Sequence, residues 1–173
     1  GIARVAESID EDHEKVYEYT NIGNTVGIVT NGSALLNFKN SSLESAYSVM
    51  EAYAAVLSET VGVSPIPLVV ETREKEEFIN VVKNISKSFG IIILEDLSSP
   101  GSIEIEERLI AELPMPVIDA NQGGNAVATV AGLINIAKKN NINLKNCKVG
   151  FIGFGTKAHG IHKLLKAYGI DEM

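Results

Sequence analysis

Ile91-Ile92-Ile93-Leu94-Glu95-Asp96 is an apolar run that ends in two adjacent acids and is followed by Ser98-Ser99-Pro100. Such a run reads as a buried strand that delivers carboxylates at its C-terminal end, where open α/β sheets place their ligand sites. Two hard oxygen donors at that position suit Mg²⁺ or Mn²⁺, which take carboxylate, carbonyl and water ligands. The alternative is a solvated pair of loop acids beside a helix N-terminus, where negative charge is also favoured.

A second chemical signal lies near the other end of the chain. Lys148-Val149-Gly150-Phe151-Ile152 has a strand pattern and leads into Gly153-Phe154-Gly155-Thr156-Lys157-Ala158, a G-x-G-x-x-A turn, after which Ile161, Leu164 and Leu165 give helical spacing. A dinucleotide pyrophosphate needs that arrangement: glycines for a tight turn and close backbone approach, a small third residue, and a helix N-terminus for the negative charge. Gly153, Gly155 and Ala158 are the candidate cofactor contacts. The motif also calls for an acid about 20 residues on, at the end of a second strand. Asp171 and Glu172 come before such a strand could form, so a βα unit that only packs remains the competing reading.

The elements that must position these groups follow from periodicity. Strands are expected near Thr25–Thr30, Pro67–Val70, Gly90–Leu94, Pro116–Ile118 and Lys148–Ile152. Between them, Phe78, Val81, Val82, Ile85 and Phe89 recur on one helical face with Glu76, Glu77 and Lys83 off it, the pattern of an amphipathic crossover helix. Leu43–Glu59 and Asn125–Lys139 read as further helices, the second closed by Lys138-Lys139 at its favourable end and apolar enough to sit inside a domain or at a junction. Alternating strands and helices imply an α/β fold with a mostly parallel sheet. The Asn-rich segment Asn140–Asn146 has no periodicity and is the natural linker. The expected organisation is a domain over 1–139, a linker over 140–147 and an incomplete dinucleotide-binding βα unit over 148–173.

Composition excludes several classes. With 45% hydrophobic and 21% charged residues, the chain of 173 residues is too apolar for disorder and long enough to bury a core. A net charge of −7 with no basic cluster beyond Lys138-Lys139 argues against nucleic acid, which needs a basic patch. Cys147 is the only cysteine, so no internal disulfide forms and a reducing, cytoplasmic setting is expected; its place before a strand suggests packing. No run approaches the roughly 20 apolar residues that span a bilayer, and no signal peptide is legible. His13 falls in a charged helix. His159 and His162 flank the glycine turn at i, i+3 without an acid or Cys to complete a metal set.

Tyr19-Thr20-Asn21-Ile22-Gly23-Asn24, Val29-Thr30-Asn31-Gly32-Ser33-Ala34, Val49-Met50-Glu51, Leu94-Glu95-Asp96 and Gln122-Gly123-Gly124-Asn125-Ala126 together resemble bacterial malic enzymes, in order and spacing from Gly1 to Met173. The resemblance implies an N-terminal malic-enzyme-like domain followed by the start of an NAD(P)-binding domain, with the family's catalytic Tyr lying before Gly1. It implies a protein that binds malate, a divalent metal and NAD or NADP, and decarboxylates malate oxidatively to pyruvate.

Residue by residue, the match departs at the chemistry. Glu95 and Asp96 keep two metal-ligand acids. The paired acids before Gln122 are Ala120 and Asn121, with Asp119 one residue earlier, so the third ligand position is Asn121. An Asn carbonyl binds a hard cation without adding charge, and affinity should fall. The catalytic Lys, the family's general base, aligns with Tyr53, whose phenol is protonated at neutral pH. An Asp after Thr30 has become Asn31, and the glycine-rich loop that follows has become Asn37-Phe38-Lys39-Asn40-Ser41-Ser42. The expectation is therefore a homologue with malate oxidation weak or absent, binding a dicarboxylate or a metal weakly, and pairing as a homodimer or with an intact paralogue through apolar N-terminal helices. The alternatives are an active malic enzyme seen as a fragment, and a metal-dependent oxaloacetate decarboxylase that needs no nucleotide.

Overall fold

The computed structural model describes residues 1–35 and 42–173. The substituted loop named above lies outside them except for Ser42, whose hydroxyl accepts the Ser45 N–H and caps the helix that follows. Its strands are β1 (Thr25–Thr30), β2 (Ser64–Val69), β3 (Ile91–Leu94) and β4 (Val117–Asp119). Its helices are α1 (Ile2–Glu11), α2 (Val16–Tyr19), α3 (Leu43–Val61), α4 (Lys75–Ile85), α5 (Gly101–Glu112), α6 (Gly123–Lys139) and α7 (Thr156–Tyr168).

All strand pairs are parallel and the sheet order is β2-β1-β3-β4. β1 is buried at all six positions, as a central parallel strand covered on both faces must be. Pro65 and Pro67 lie in β2, an edge strand, where a missing N–H leaves no ladder bond unmade on the open side. Alternate side chains divide the core. Val26 and Ile28 pack with Met50 and Leu57 of α3 and with Ile91 and Ile93. Val29, Ile92 and Leu94 point the other way, against Phe78, Ile79 and Val82 of α4 and Ile105 and Leu109 of α5. Those of these side chains that are fully buried, such as Ile28, Met50, Phe78 and Leu109, each contribute about 1.5–3 kcal/mol of transfer free energy.

Connectivity reverses around β1: the chain leaves it for β2 on one side and returns to β3 on the other. That is a topological switch point, and it opens a crevice between the carboxyl ends of β1 and β3.

Some elements differ from the sequence expectation. Lys148–Ile152 pairs with no strand among the described residues, and its one ladder-like bond runs from the Val149 N–H to the Glu172 carbonyl at 3.0 Å. A strand exists by pairing, and the apolar pattern alone supplies no partner. The segment instead packs beside a separate cluster of Val130, Ala137, Leu144, Leu165 and Ile170, in which Cys147, Val149 and Phe151 take part. His13 belongs to a short 3₁₀ turn between α1 and α2 rather than to a helix of regular length. α6 buries Val130 and Ala137 but leaves Val127 and Ile136 exposed. No helix among the described residues is long and apolar enough to cross a membrane.

Candidate functional site

The loops after β1 and β3 meet at the switch point. Thr30 Oγ1 accepts the Gly32 N–H at 2.9 Å and Asn31 Oδ1 accepts the Ser33 N–H at 3.1 Å, which turns the chain directly after β1. The Ala34 N–H donates to the Asp96 carbonyl at 2.9 Å, and the Ser98 N–H donates to Ser33 Oγ at 2.8 Å. Asp96 itself has φ 48°, a left-handed conformation that Asp adopts more readily than most residues. Glu95 still follows the ladder through its N–H to the Val29 carbonyl, so one acid ends the strand and the next turns into the crevice.

The end of β4 forms the neighbouring wall. Asp119 is 3% exposed, and its carboxylate is occupied: Oδ1 accepts the Asn121 N–H at 2.8 Å and the Gln122 N–H at 3.2 Å, while Oδ2 accepts the Gln122 side-chain amide at 3.2 Å. Glu106 of α5 completes the network by accepting the Asp119 N–H at 2.8 Å and the Gln122 amide at 2.7 Å. Asn121 lines the same cleft as Asp96, and its side chain helps to hold the Asp96 carboxyl down. α7 closes the third side, with Ser102 Oγ 3.3 Å from Thr156 Oγ1. Gly160 lies so close that an added Cβ would sit 2.6 Å from the Gln122 carbonyl oxygen. The open cleft, about 410 Å³, is lined by Asp96, Asn121, Ser99, Thr156 and Lys157 among others.

Electrostatics follow from crowding acids in a poorly solvated corner. Burial, reinforced by Asp96 and Asp119, pushes the Glu95 carboxyl up to about 7. Burial also raises Asp96, opposed by the Asn121 hydrogen bond and the Lys157 ammonium. Asp119 and Glu106 are raised chiefly by burial as well, each partly held back by its hydrogen bonds. Tyr53, 40% exposed on α3, is raised by desolvation and by the nearby charges of Asp96 and Glu95. A phenol above its ordinary value of about 10 keeps its proton at neutral pH and cannot take one from a substrate. Glu95, by contrast, can exchange a proton near neutrality.

The arrangement can be set against what a metal and a dinucleotide require. No group of three His, Cys, Asp or Glu side chains among the described residues is placed to hold an ion. Glu95 and Asp96 are adjacent, Asn121 adds an amide to the cleft that Asp96 lines, and Asp119 is spent on its own turn, so a three-carboxylate centre does not fit. At the glycine turn, Gly153 has φ 86° and Gly155 stands at the N-cap of α7, the local geometry a pyrophosphate turn needs. Ala158 lines the cavity with Gly155. A dinucleotide also needs neighbouring parallel strands, and 148–152 has none among the described residues. Phe154, 58% exposed, meets Phe151 and His162 edge-on, and His159 joins the same aromatic group.

Sequence reasoning brought Glu95, Asp96, Asn121 and Tyr53 to one place and missed Glu106 and Lys157. Glu106 sits in an acidic helix whose solvated face hides a single inward carboxylate. Lys157 was visible only as a variable position of the glycine motif.

No family model matches the chain. Over 171 residues it is 41% identical to NAD-dependent malic enzyme 1 of Bacillus subtilis, covering 99% of this chain and 39% of that one. It is 38% identical to the bifunctional malic/malolactic enzyme of the same organism, covering 100% of this chain and 42% of the relative. The crystal structure of malic enzyme from Pyrococcus horikoshii superposes with a TM-score of 0.95 at 35% identity, covering 98% of this chain and 39% of that chain. The chain thus spans about two fifths of the length of these relatives.

Proposed function

From the premise that this chain belongs to the malic enzyme family over the stretch it spans, we propose that it is a malic-enzyme-like protein that has lost malate oxidation and retains the scaffold. Its remaining capacities are weak divalent-cation binding at Glu95 and Asp96, with Asn121 beside them, and binding of a dicarboxylate such as malate. The observation that carries this reading is the state of the third ligand position. Asn121 stands beside Asp96 in the same cleft where the family pattern has an acid, and Asp119, the nearest replacement, is consumed by three hydrogen bonds. Tyr53 adds a second, independent loss, because a protonated phenol stands in the place of the base.

Division into a domain over 1–139, a linker over 140–147 and a βα unit from 148 is part of the same reading. So is a cytoplasmic homodimer or a pairing with an intact paralogue, supported by α1 and α2, which bury no residue and expose Ile2, Val5, Tyr17 and Tyr19. NAD or NADP would be met by Gly153, Gly155 and Ala158, which supply the turn but not the ribose acid. Binding of either nucleotide to this chain is expected to be undetectable, and saturable binding abolished by Gly155→Val would overturn that.

Calorimetric titration with Mn²⁺ tests the metal claim. Weak binding removed by Glu95→Gln with Asp96→Asn supports it; tight binding that survives both substitutions refutes it. A second reading is favoured by the coverage: a chain spanning two fifths of its relatives is compatible with an active malic enzyme seen in part. In that case, residues elsewhere in a longer protein would have to supply both a base and a third ligand.

A further inference from the structure

Lys157 occupies a place that local helix electrostatics disfavours. It lies in the first turn of α7, where the helix dipole repels positive charge. That turn contains no acid, and the N-cap is Gly155, which offers no side chain. The compensating charge comes from across the cavity. Lys157 and Asp96 line the same 410 Å³ space with Asn121 between the strand ends, and Asp96 is 8% exposed.

The backbone under Lys157 has little freedom to withdraw. Thr156 is tied to Ser102, Gly160 is pressed against the Gln122 carbonyl, and Leu165 is fully buried one turn further on. Packing therefore fixes the stretch of helix that presents Lys157 to the crevice.

We propose that Lys157 sets the cation preference of this site, its tethered ammonium supplying the positive charge that Asp96 requires and so disfavouring a divalent ion there. The proposal rests on the reading of a degenerate metal position and adds a cause for its weakness. Loss of an acid at Asn121 removes attraction for a metal; the cation at Lys157 adds repulsion.

The test is Mn²⁺ affinity, followed by the electron paramagnetic resonance of free Mn²⁺, together with the Mn²⁺-induced rise in thermal midpoint. It uses the wild-type chain, Lys157→Ala, Lys157→Arg, and Lys157→Ala combined with Asp96→Asn. Lys157 is exposed, so screening limits the effect and the alanine variant is expected to fold, which circular dichroism verifies. Lys157→Ala should bind Mn²⁺ about three- to tenfold more tightly than wild type, with a larger midpoint rise. Lys157→Arg should match wild type, and Asp96→Asn should erase the gain. Weak wild-type binding unchanged by Lys157→Ala, or tightened equally by Lys157→Arg, overturns this proposal and leaves the degenerate-site reading standing. Tight wild-type binding overturns both.

Discussion

The ends of β3 and β4 carry the same kind of side chain and use it in opposite ways. After β3, Asp96 lines a crevice, and Glu95 beside it is so poorly compensated that burial pushes its carboxyl up to about 7. After β4, Asp119 is more deeply buried yet fully partnered, holding two backbone N–H groups and the Gln122 amide. The Asp119 carboxylate is a structural clasp. The difference separates acids that remain available to a ligand from an acid that the fold has absorbed, and it can be probed by removing each in turn.

The largest effect is expected at the clasp. Asp119→Ala removes the acceptor of the Asn121 N–H and one acceptor of the Gln122 side-chain amide, while the Gln122 N–H keeps the residue 119 carbonyl, and should lower unfolding free energy by about 1–3 kcal/mol in urea titrations. If it costs no more than removing Glu95, the contrast between the two strand ends collapses. Next is Gly160→Ala, which drives a Cβ against the Gln122 backbone carbonyl. A backbone oxygen cannot swing aside as a flexible side chain can, so a loss of about 1–3 kcal/mol is expected in the same titrations.

Glu95→Gln should move stability the other way. The folded carboxyl is raised above its unfolded value of about 4.3, so the folded state holds its proton more tightly and stability falls as pH rises from roughly 4.5 to 7. Gln removes that cost, giving a gain of about 1–2 kcal/mol at pH 7 once solvent screening of a partly exposed group is allowed for. The variant should also flatten the thermal midpoint between pH 4.5 and 7; an unchanged slope would show that Glu95 is not the group responsible. The smallest effect is at Tyr53. Tyr53→Lys places an ammonium near Asp96 and Glu95 on a partly exposed helix face, worth at most about 1 kcal/mol of added stability, and it should restore no malate-dependent formation of NAD(P)H.

What could be read from the sequence follows from the range of the forces involved. The strands at Thr25–Thr30 and Ile91–Leu94 and the helix bearing Phe78 and Val82 were legible because burial imposes a local period on the chain. β2 begins three residues earlier than expected, at Ser64, because an edge strand tolerates the prolines that make it look irregular. The carboxylates at 95 and 96 were legible because an apolar strand cannot bury them within itself. The absorption of Asp119 was not, since it depends on Glu106, thirteen positions away on α5, and on the turn through Gln122. Nor was the place of Lys157, which only the packing of α7 brings to the cleft that Asp96 lines. The strand expected over Lys148–Ile152 failed for the same reason: periodicity describes a face and not a neighbour.

The central claim is that the scaffold persists without its oxidative chemistry. Incubating the wild-type chain with malate, Mn²⁺ and either NAD⁺ or NADP⁺, and following absorbance of the reduced nicotinamide, tests it directly. The account predicts no malate-dependent signal above the enzyme-free control, with Tyr53→Lys equally silent. Steady formation of reduced cofactor by the wild-type chain, lost on Glu95→Gln with Asp96→Asn, would contradict it.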